Sequence, residues 1–508
     1  MKKKSKFKPV PSTNKARRTI NDWFNERFPG LSKPEHGEAI LEGVTRTGAT
    51  IVTDFSEPYL AATLGAQGTP DAPTIYIGEE NRFYTYSSDG SDEGIFVWVL
   101  EAQLRTRFAR LLLQAAHENN ATITSKLEFA LRDSVKLNGP INHAKGLLIQ
   151  PADFFKQDLT KFIACRNGML RLADMALLPF SPNHRRRNKL DVDFQPGSRC
   201  EKLFLETLMR PALSEDDLDL LQRACGLYLI GVNLAQIIVL LIGTAGGGKG
   251  TFIRVLKDVL GHNNIVTLRT SLLGERFETS RYVGKTLLYG ADVPANFLNR
   301  RGASVLKSLT GGDPMTVEFK GSNKVPEISG EYNVIASCNS KLLVRLEGDQ
   351  EAWRRRLHTV AYENEPPSKV IVDLHRQIIA QEGPGVLNWM LDGLRKIRVD
   401  GWQLYSTPKQ RARVDQLLLE SDSITIFVRE ALVSDADGEL TVFEAHAGYV
   451  AFCNNHDWSA ISRKQFSETI ADQIVHQFGL ALRHDVTPRG GSTSHRGWKG
   501  IRLHDSET

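Results

Sequence analysis

The chain has 508 residues, of which 41% are hydrophobic and 24% charged, with 41 glycines, 21 prolines and a formal net charge of +5. That is ordinary globular composition, and it excludes a largely disordered, collagen-like or coiled-coil chain. A charge of +5 does not by itself identify a nucleic-acid partner, and at about 150 residues per domain the length predicts roughly three domains. The basic residues are unevenly spread. The first 18 residues hold Lys2, Lys3, Lys4, Lys6, Lys8, Lys15, Arg17 and Arg18 and no acid, which fits a solvated arm or a contact to phosphate backbone. Cys165, Cys200, Cys225, Cys338 and Cys453 are scattered and form no CxxC. This predicts no disulfide framework and a reducing, cytoplasmic compartment. The N-terminus lacks the apolar run of a signal peptide.

Taken in chain order, residues 1–72 look weakly structured apart from a short amphipathic helix at Asn21 to Phe28. TIYIGEENRFYTYSSDG, from Thr74, reads as a hairpin. IFVWVLEAQLRTRFARLLLQAA reads as a helix. FIACRNGMLRLADMALLPFSP reads as a second hairpin, with turns near Asn167–Gly168 and Ala173–Asp174. His184 to Leu190 is a basic run of the kind that is usually a solvated loop. Lys202 to Leu229 is helical, broken at Pro211. Ala224 to Gly248 carries no charge and is long enough to span a bilayer. Gly226, Gly231, Asn233 and Gln236 interrupt it, however, so a buried helix and a buried strand are expected, with no membrane contact. Leu404 to Arg413 is polar and reads as a linker. From Thr441 the text runs helix, helix and two strands, the pattern of a winged helix.

The sharpest motif is QIIVLLIGTAGGGKGTFIRVLKDVLG. Gln236 to Ile242 reads as a buried strand, Gly243 to Gly250 as a loop, and Thr251 to Leu260 as a helix with Phe252, Val255, Leu256 and Val259 on its apolar face. Strand, glycine loop and helix are the setting of a phosphate-binding loop. Gly243, Gly246, Gly247, Gly248 and Gly250 let backbone N–H groups turn inward around phosphate. The helix N-terminus adds partial positive charge, and Lys249 supplies a full one. The pattern departs from GxxxxGK[ST] in one place: Gly250 follows the lysine, and the hydroxyl, Thr251, comes one residue later. GKTLLYGADVP then reads as a strand ending in Asp292, a position suited to holding Mg²⁺ and the attacking water. YNVIASCNS is a strand ending in Asn339, able to orient that water. Arg354, Arg355 and Arg356 follow in EAWRRRLHTV, either as a solvated face or as a source of guanidinium charge for a neighbouring subunit's γ-phosphate.

In this order, GTAGGGKGTF, LKSLTGGDP, NVIASCN and WRRRL resemble the superfamily 3 helicases, of the poxvirus and phage-satellite primase-helicase type. The resemblance runs from about Thr74 to Leu503. It implies an α/β fold: a P-loop AAA+-like ATPase core (236–400), preceded by a basic arm (1–72) and an α+β pre-helicase region (73–235), and followed by a linker and winged-helix domain (401–508). It implies that Lys249 and Thr251 bind ATP and Mg²⁺, that Asp292 is the metal and water acid, that Asn339 is the sensor, and that Arg355 or Arg356 is a trans-acting finger. It also implies a homo-oligomeric ring, usually a hexamer, moving 3′ to 5′ on single-stranded or forked DNA in a phage, plasmid or integrated element. A separate primase or polymerase would serve as partner, because the one hydrophobic-Asp-hydrophobic-Asp string in the N-terminal part is LDVDF, with Asp191 and Asp193, inside the pre-helicase segment that the resemblance already explains. Family members project a hairpin into the ring channel; here Lys320 and Lys324 flank a GSN turn, suited to sequence-independent phosphate contact or to simple solubility. Arg483, Arg489, Arg496, Lys499 and Arg502 make the C-terminal wing basic. Cys453 and His456 have the spacing of only half a zinc site. The same motifs would serve an ATP-dependent replication initiator or loader that does not unwind.

Overall fold

Ile237 to Leu241 is an unbroken apolar run, the composition of a strand buried on both faces. The computed structural model describes residues 19–504, apart from 32, 47, 66–71, 133–134, 244, 294–302, 321–324, 340–349, 365–370, 420–422, 457, 459 and 489–492. In it this run becomes β1 (Ile238–Gly243), the fourth strand of a five-stranded sheet. The others are β2 (Ile265–Thr267), β3 (Leu287–Gly290), β4 (Asn333–Cys338) and β5 (Leu357–Tyr362), in the order β2-β3-β4-β1-β5 and all parallel. Side chains alternate between the faces of a strand. Ile238 and Leu240 therefore enter one core with Val334, Ala336 and Leu357. Val239 and Leu241 enter another with Ile335, Val360 and the helix face Phe252, Val255, Leu256 and Val259. That face is the one expected from the sequence.

The chain is mixed α/β and divides into two compact units, 1–157 with 180–187, and 158–179 with 188–508. In the first unit the described part of residues 1–72 is not weakly structured. Helix Ile20–Arg27, strands Ile40–Val44 and Thr50–Phe55 and helix Glu57–Ala62 share one core with Tyr76, Phe83, Leu104 and Phe108. Trp23, Phe24, Phe28 and Tyr59 supply its aromatic bulk, spread too thinly along the sequence to announce a core. The expected hairpin is present, Thr74–Ile77 against Arg82–Tyr86. The long helix is shorter than expected. Phe96–Val99 pairs with Arg82–Tyr86 as a strand, and the helix begins at Glu101. Alternating F-V-W-V suits a pleated edge better than a helix. Part of the basic run is also ordered: Arg186 is buried, and Arg187 pairs with the buried Glu80 at 2.6 Å.

In the second unit, Phe162–Cys165, Gly168–Arg171 and Ala176–Leu178 form an antiparallel meander with turns where expected. Glu201–Met209 winds as a π-helix. The buried Glu382 carboxylate accepts N–H bonds from Lys202, Leu203 and Phe204 at its start, which satisfies donors that a helix end leaves open. Helix Glu215–Ile230 follows, so the uncharged stretch is a helix end plus β1. Among the described residues no helix is long and apolar enough to cross a membrane. The five cysteines are buried and form no disulfide.

The expected linker is a helix, Pro408–Leu419, tied to the parallel sheet. Arg413 clamps the buried Asp217 with both terminal nitrogens, one of them at 2.9 Å. Gln410 donates to Asp217 at 2.9 Å, and Asp217 reaches the Ala361 N–H of β5. Removing one partner of a buried ion pair strands the other charge and costs about 3–5 kcal/mol. Asp217→Ala is therefore expected to lower stability by about that amount, seen as a lower urea midpoint at unchanged slope.

The last segment runs helix Ser423–Ala431, strand Leu432–Thr441, helices Val442–Asn455 and Arg463–Phe478, and strands Arg483–Val486 and His495–Leu503. Its final strand lies in the middle of a three-stranded antiparallel sheet. The two helices and the last two strands match expectation. The helix at 423–431 and the first strand were not foreseen.

Candidate functional site at the carboxyl edge of the parallel sheet

In open parallel sheets, ligands gather beyond the carboxyl ends of the strands. There β1 delivers Gly243, β3 leads into Asp292, and β4 ends one residue before Asn339. Gly243 (φ 138°), Gly246 (φ 85°) and Gly248 (φ 98°) hold backbone angles that side chains oppose. Helix Lys249–Leu260 starts directly on this loop. Gly247 is buried, Gly250 is exposed, and Thr251 is half-buried in the first turn. Thr244 lies outside the described residues.

Lys249 is 4% exposed, and its Nζ donates to the Gly243 carbonyl at 2.8 Å. Its ammonium also lies 5.9 Å from the Tyr362 ring. Burial pulls its pKa down, and the Asp292 charge pulls it back up. Asp292 takes left-handed backbone at φ 46°, a conformation that Asp tolerates and that concentrates at functional sites. Its N–H donates to Ser337 Oγ at 3.1 Å, and the Val293 N–H donates to the Ser337 carbonyl at 2.9 Å. Asn339 Nδ2 donates to Asp292 Oδ1 at 2.9 Å. The lysine, acid and amide expected from three separated motifs thus share one edge. Ser337, which pins the acid's loop to β4, was missed. It sits inside the buried strand, and only the three-dimensional pairing reveals its role.

The arginine run occupies the other end of the sheet. Helix Gln350–Arg356 leads straight into β5, whose Leu357 pairs with Ile238 and whose Tyr362 pairs with Gly243. At about 3.3 Å per residue, five steps put the run about 17 Å from the glycine loop. Arg354 is exposed and bonded to Asp415 (2.7 Å) and Glu351 (2.9 Å). Arg356 is buried; its Nη1 donates to the Ala352 carbonyl at 3.1 Å, and its guanidinium lies against Gly311. Arg355 is exposed.

Pro314–Thr316 and Glu327–Ser329 pair as the base of the expected hairpin, with Lys320 exposed. Lys324 and the GSN turn lie outside the described residues. The C-terminal strands are less basic than their lysines and arginines suggest. Arg483 pairs with Asp485 (2.7 Å), Lys499 with Glu439 (2.8 Å) and Arg502 with Asp435 (2.9 Å). Arg496 is exposed, and Arg489 lies outside the described residues. Asp193 is bonded to Arg166 at 2.8 Å. Among the described residues no group of three or more His, Cys, Asp or Glu is placed to hold a metal.

Residues 241–356 match the model of a family described as of unknown function, DUF5906. That span opens within β1 and closes at Arg356, so it takes in the loop, the acid, the amide and the arginine run. No curated protein matches the chain. Among solved structures it is similar to apo structures of the NrS-1 C-terminal region. One, of residues 305–718, has a TM-score of 0.41 at 10% identity and covers 84% of this chain and 87% of that one. A second, also at 0.41 and 10%, covers 87% and 99%. A third, at 0.41 and 11%, covers 87% and 98%. Likeness at this level decides nothing about function.

Proposed function

We propose that the chain is an ATP-dependent replicative DNA helicase of a phage, plasmid or integrated mobile element, with a P-loop core of the superfamily 3 type and a C-terminal winged helix. The observation that carries this reading is the convergence of Lys249, Asp292 and Asn339 at one carboxyl sheet edge behind a glycine loop. The glycine backbone and Lys249 bind the triphosphate. Thr251 and Asp292 are the groups that would hold Mg²⁺, which supplies neutralisation of phosphate charge when bound. Asp292 and Asn339, bonded to each other, orient the attacking water.

The placement of the arginines supports a ring. From the far edge of the sheet, about 17 Å from the loop, Arg355 serves a neighbour's nucleotide rather than its own. The helix–strand order from Ser423 to Leu503 supports the winged-helix reading. DNA-stimulated ATP hydrolysis tests the site. Lys249→Ala and Asp292→Asn are each expected to reduce it by about 10²–10³-fold, the cost of removing one preorganised charge-stabilising group, with the melting temperature preserved. Wild-type rates in both variants would overturn the assignment. Hydrolysis without strand separation would favour an initiator or loader.

A further inference from the structure

The N-terminal unit contains a cleft that the ATPase reading does not use. Its volume is about 600 Å³, within the range of sites that hold nucleotide-sized ligands. One wall is a stripe on helix Glu101–Glu118: Gln103, Thr106, Arg107, Arg110, Leu111 and Gln114. These residues recur at steps of three and four, so they share one helix face. The stripe is about 16 Å long at 1.5 Å per residue. Arg27, Phe28 and Thr63 form the facing wall.

The charge in this cleft is one-sided, since three arginines line it and no acid does. Arg105, one residue from the stripe, is neutralised by Glu101 at 3.0 Å. Among the described residues neither Arg107 nor Arg110 has an ion-pair partner. Burial pulls the Arg107 pKa down, the response of a cation with no counter-charge close by. Arg27 rests over the Trp23 ring at 5.1 Å. Glu118, at the end of the helix, accepts from Gln114 at 2.8 Å and from Trp23 Nε1 at 2.6 Å, and these bonds, with a smaller effect of the Arg27 charge, hold its pKa down. Thr63 and Thr106 spend their hydroxyl protons on the Leu60 and Ala102 carbonyls, so the cleft's free donors are chiefly guanidinium.

We propose that this cleft binds the phosphate groups of a single nucleic-acid strand. Its length and its three separated cations suit successive phosphates better than one compact anion. Phe28, its one aromatic residue, is buried, so no stacking platform for bases is offered and the contact is independent of sequence. The proposal shares DNA with the proposed helicase but rests on a different unit and different residues. Lys249→Ala abolishes unwinding and leaves this contact intact.

The test is fluorescence anisotropy of labelled dT20 with the full chain, without nucleotide, across a salt series. Arg107→Gln/Arg110→Gln is expected to weaken binding roughly tenfold or more. Each lost phosphate contact lowers the slope of log K against log salt by about 0.7 on a single strand, so the double variant is expected to lose about 1.4. Arg27→Gln, on the opposite wall, gives an independent reading with a slope loss of about 0.7. Melting by circular dichroism confirms folding in each. Unchanged affinity and slope in folded variants overturn the proposal. Pyrophosphate is also titrated calorimetrically into the Lys249→Ala chain. Binding heat that depends on Arg107 and Arg110, with dT20 binding unaffected, overturns the strand and assigns the cleft to a free nucleotide's phosphates.

Discussion

Arg355→Ala is expected to reduce ATP hydrolysis by about 10³-fold or more while leaving ATP binding near wild type. A guanidinium supplied to a neighbouring γ-phosphate is worth 10³–10⁵ in turnover. Of the three consecutive arginines, Arg354 is held by Asp415 and Glu351, and Arg356 is buried against Gly311. Arg355 is the exposed member with no ion pair among the described residues. Mixing supplies the sharper result. Arg355→Ala subunits keep an intact loop, and Lys249→Ala subunits keep an intact finger, so mixed rings are expected to recover activity that neither variant has alone. Arg354→Ala breaks only exposed pairs, worth about 0–1 kcal/mol, and is expected to change little. Full activity in Arg355→Ala would move the finger elsewhere.

The second large effect is expected at Gly243. A Cβ there would stand 2.1 Å from the Tyr362 carbonyl oxygen, on backbone with φ 138°. The atom it meets is main chain in β5, so it cannot swing aside. Strain and overpacking together predict a loss of roughly 3 kcal/mol or more for Gly243→Ala, read from the denaturant midpoint, along with loss of nucleotide binding. Gly250→Ala is the control. A Cβ there meets nothing within 4 Å, and alanine favours the helix by up to about 1 kcal/mol. Any drop in ATP affinity at Gly250 then reports close approach of backbone to phosphate, separated from stability.

Much of the carboxyl edge of the parallel sheet was legible because its parts are local. The glycine loop, the helix face from Phe252 to Val259, and strands ending near Asp292 and Asn339 are all written in short windows of sequence. What was not legible depends on distant partners. Only the strand order puts Arg354–Arg356 at the far end of the sheet from the loop. Burial distinguishes Arg355 from Arg356, whose guanidinium lies against Gly311, 45 residues upstream. Leu404 to Arg413 read as linker because Arg413 and Gln410 look solvent-bound until Asp217 is placed beside them. The wing seemed strongly basic because Asp435, Glu439 and Asp485 are separated in sequence from several of the cations they neutralise. The arginines of helix Glu101–Glu118 were passed over in the sequence, where that segment reads simply as a helix, because they gain meaning only when Arg27 lines the same cleft.

The most direct measurement is strand displacement on a forked DNA with a 3′ tail, with ATP and Mg²⁺, comparing the wild type with Lys249→Ala. The account predicts that the wild type separates the strands and that the variant, folded and still able to bind DNA, does not. Equal unwinding by both proteins, or none by a wild type that hydrolyses ATP on the same DNA, would contradict it.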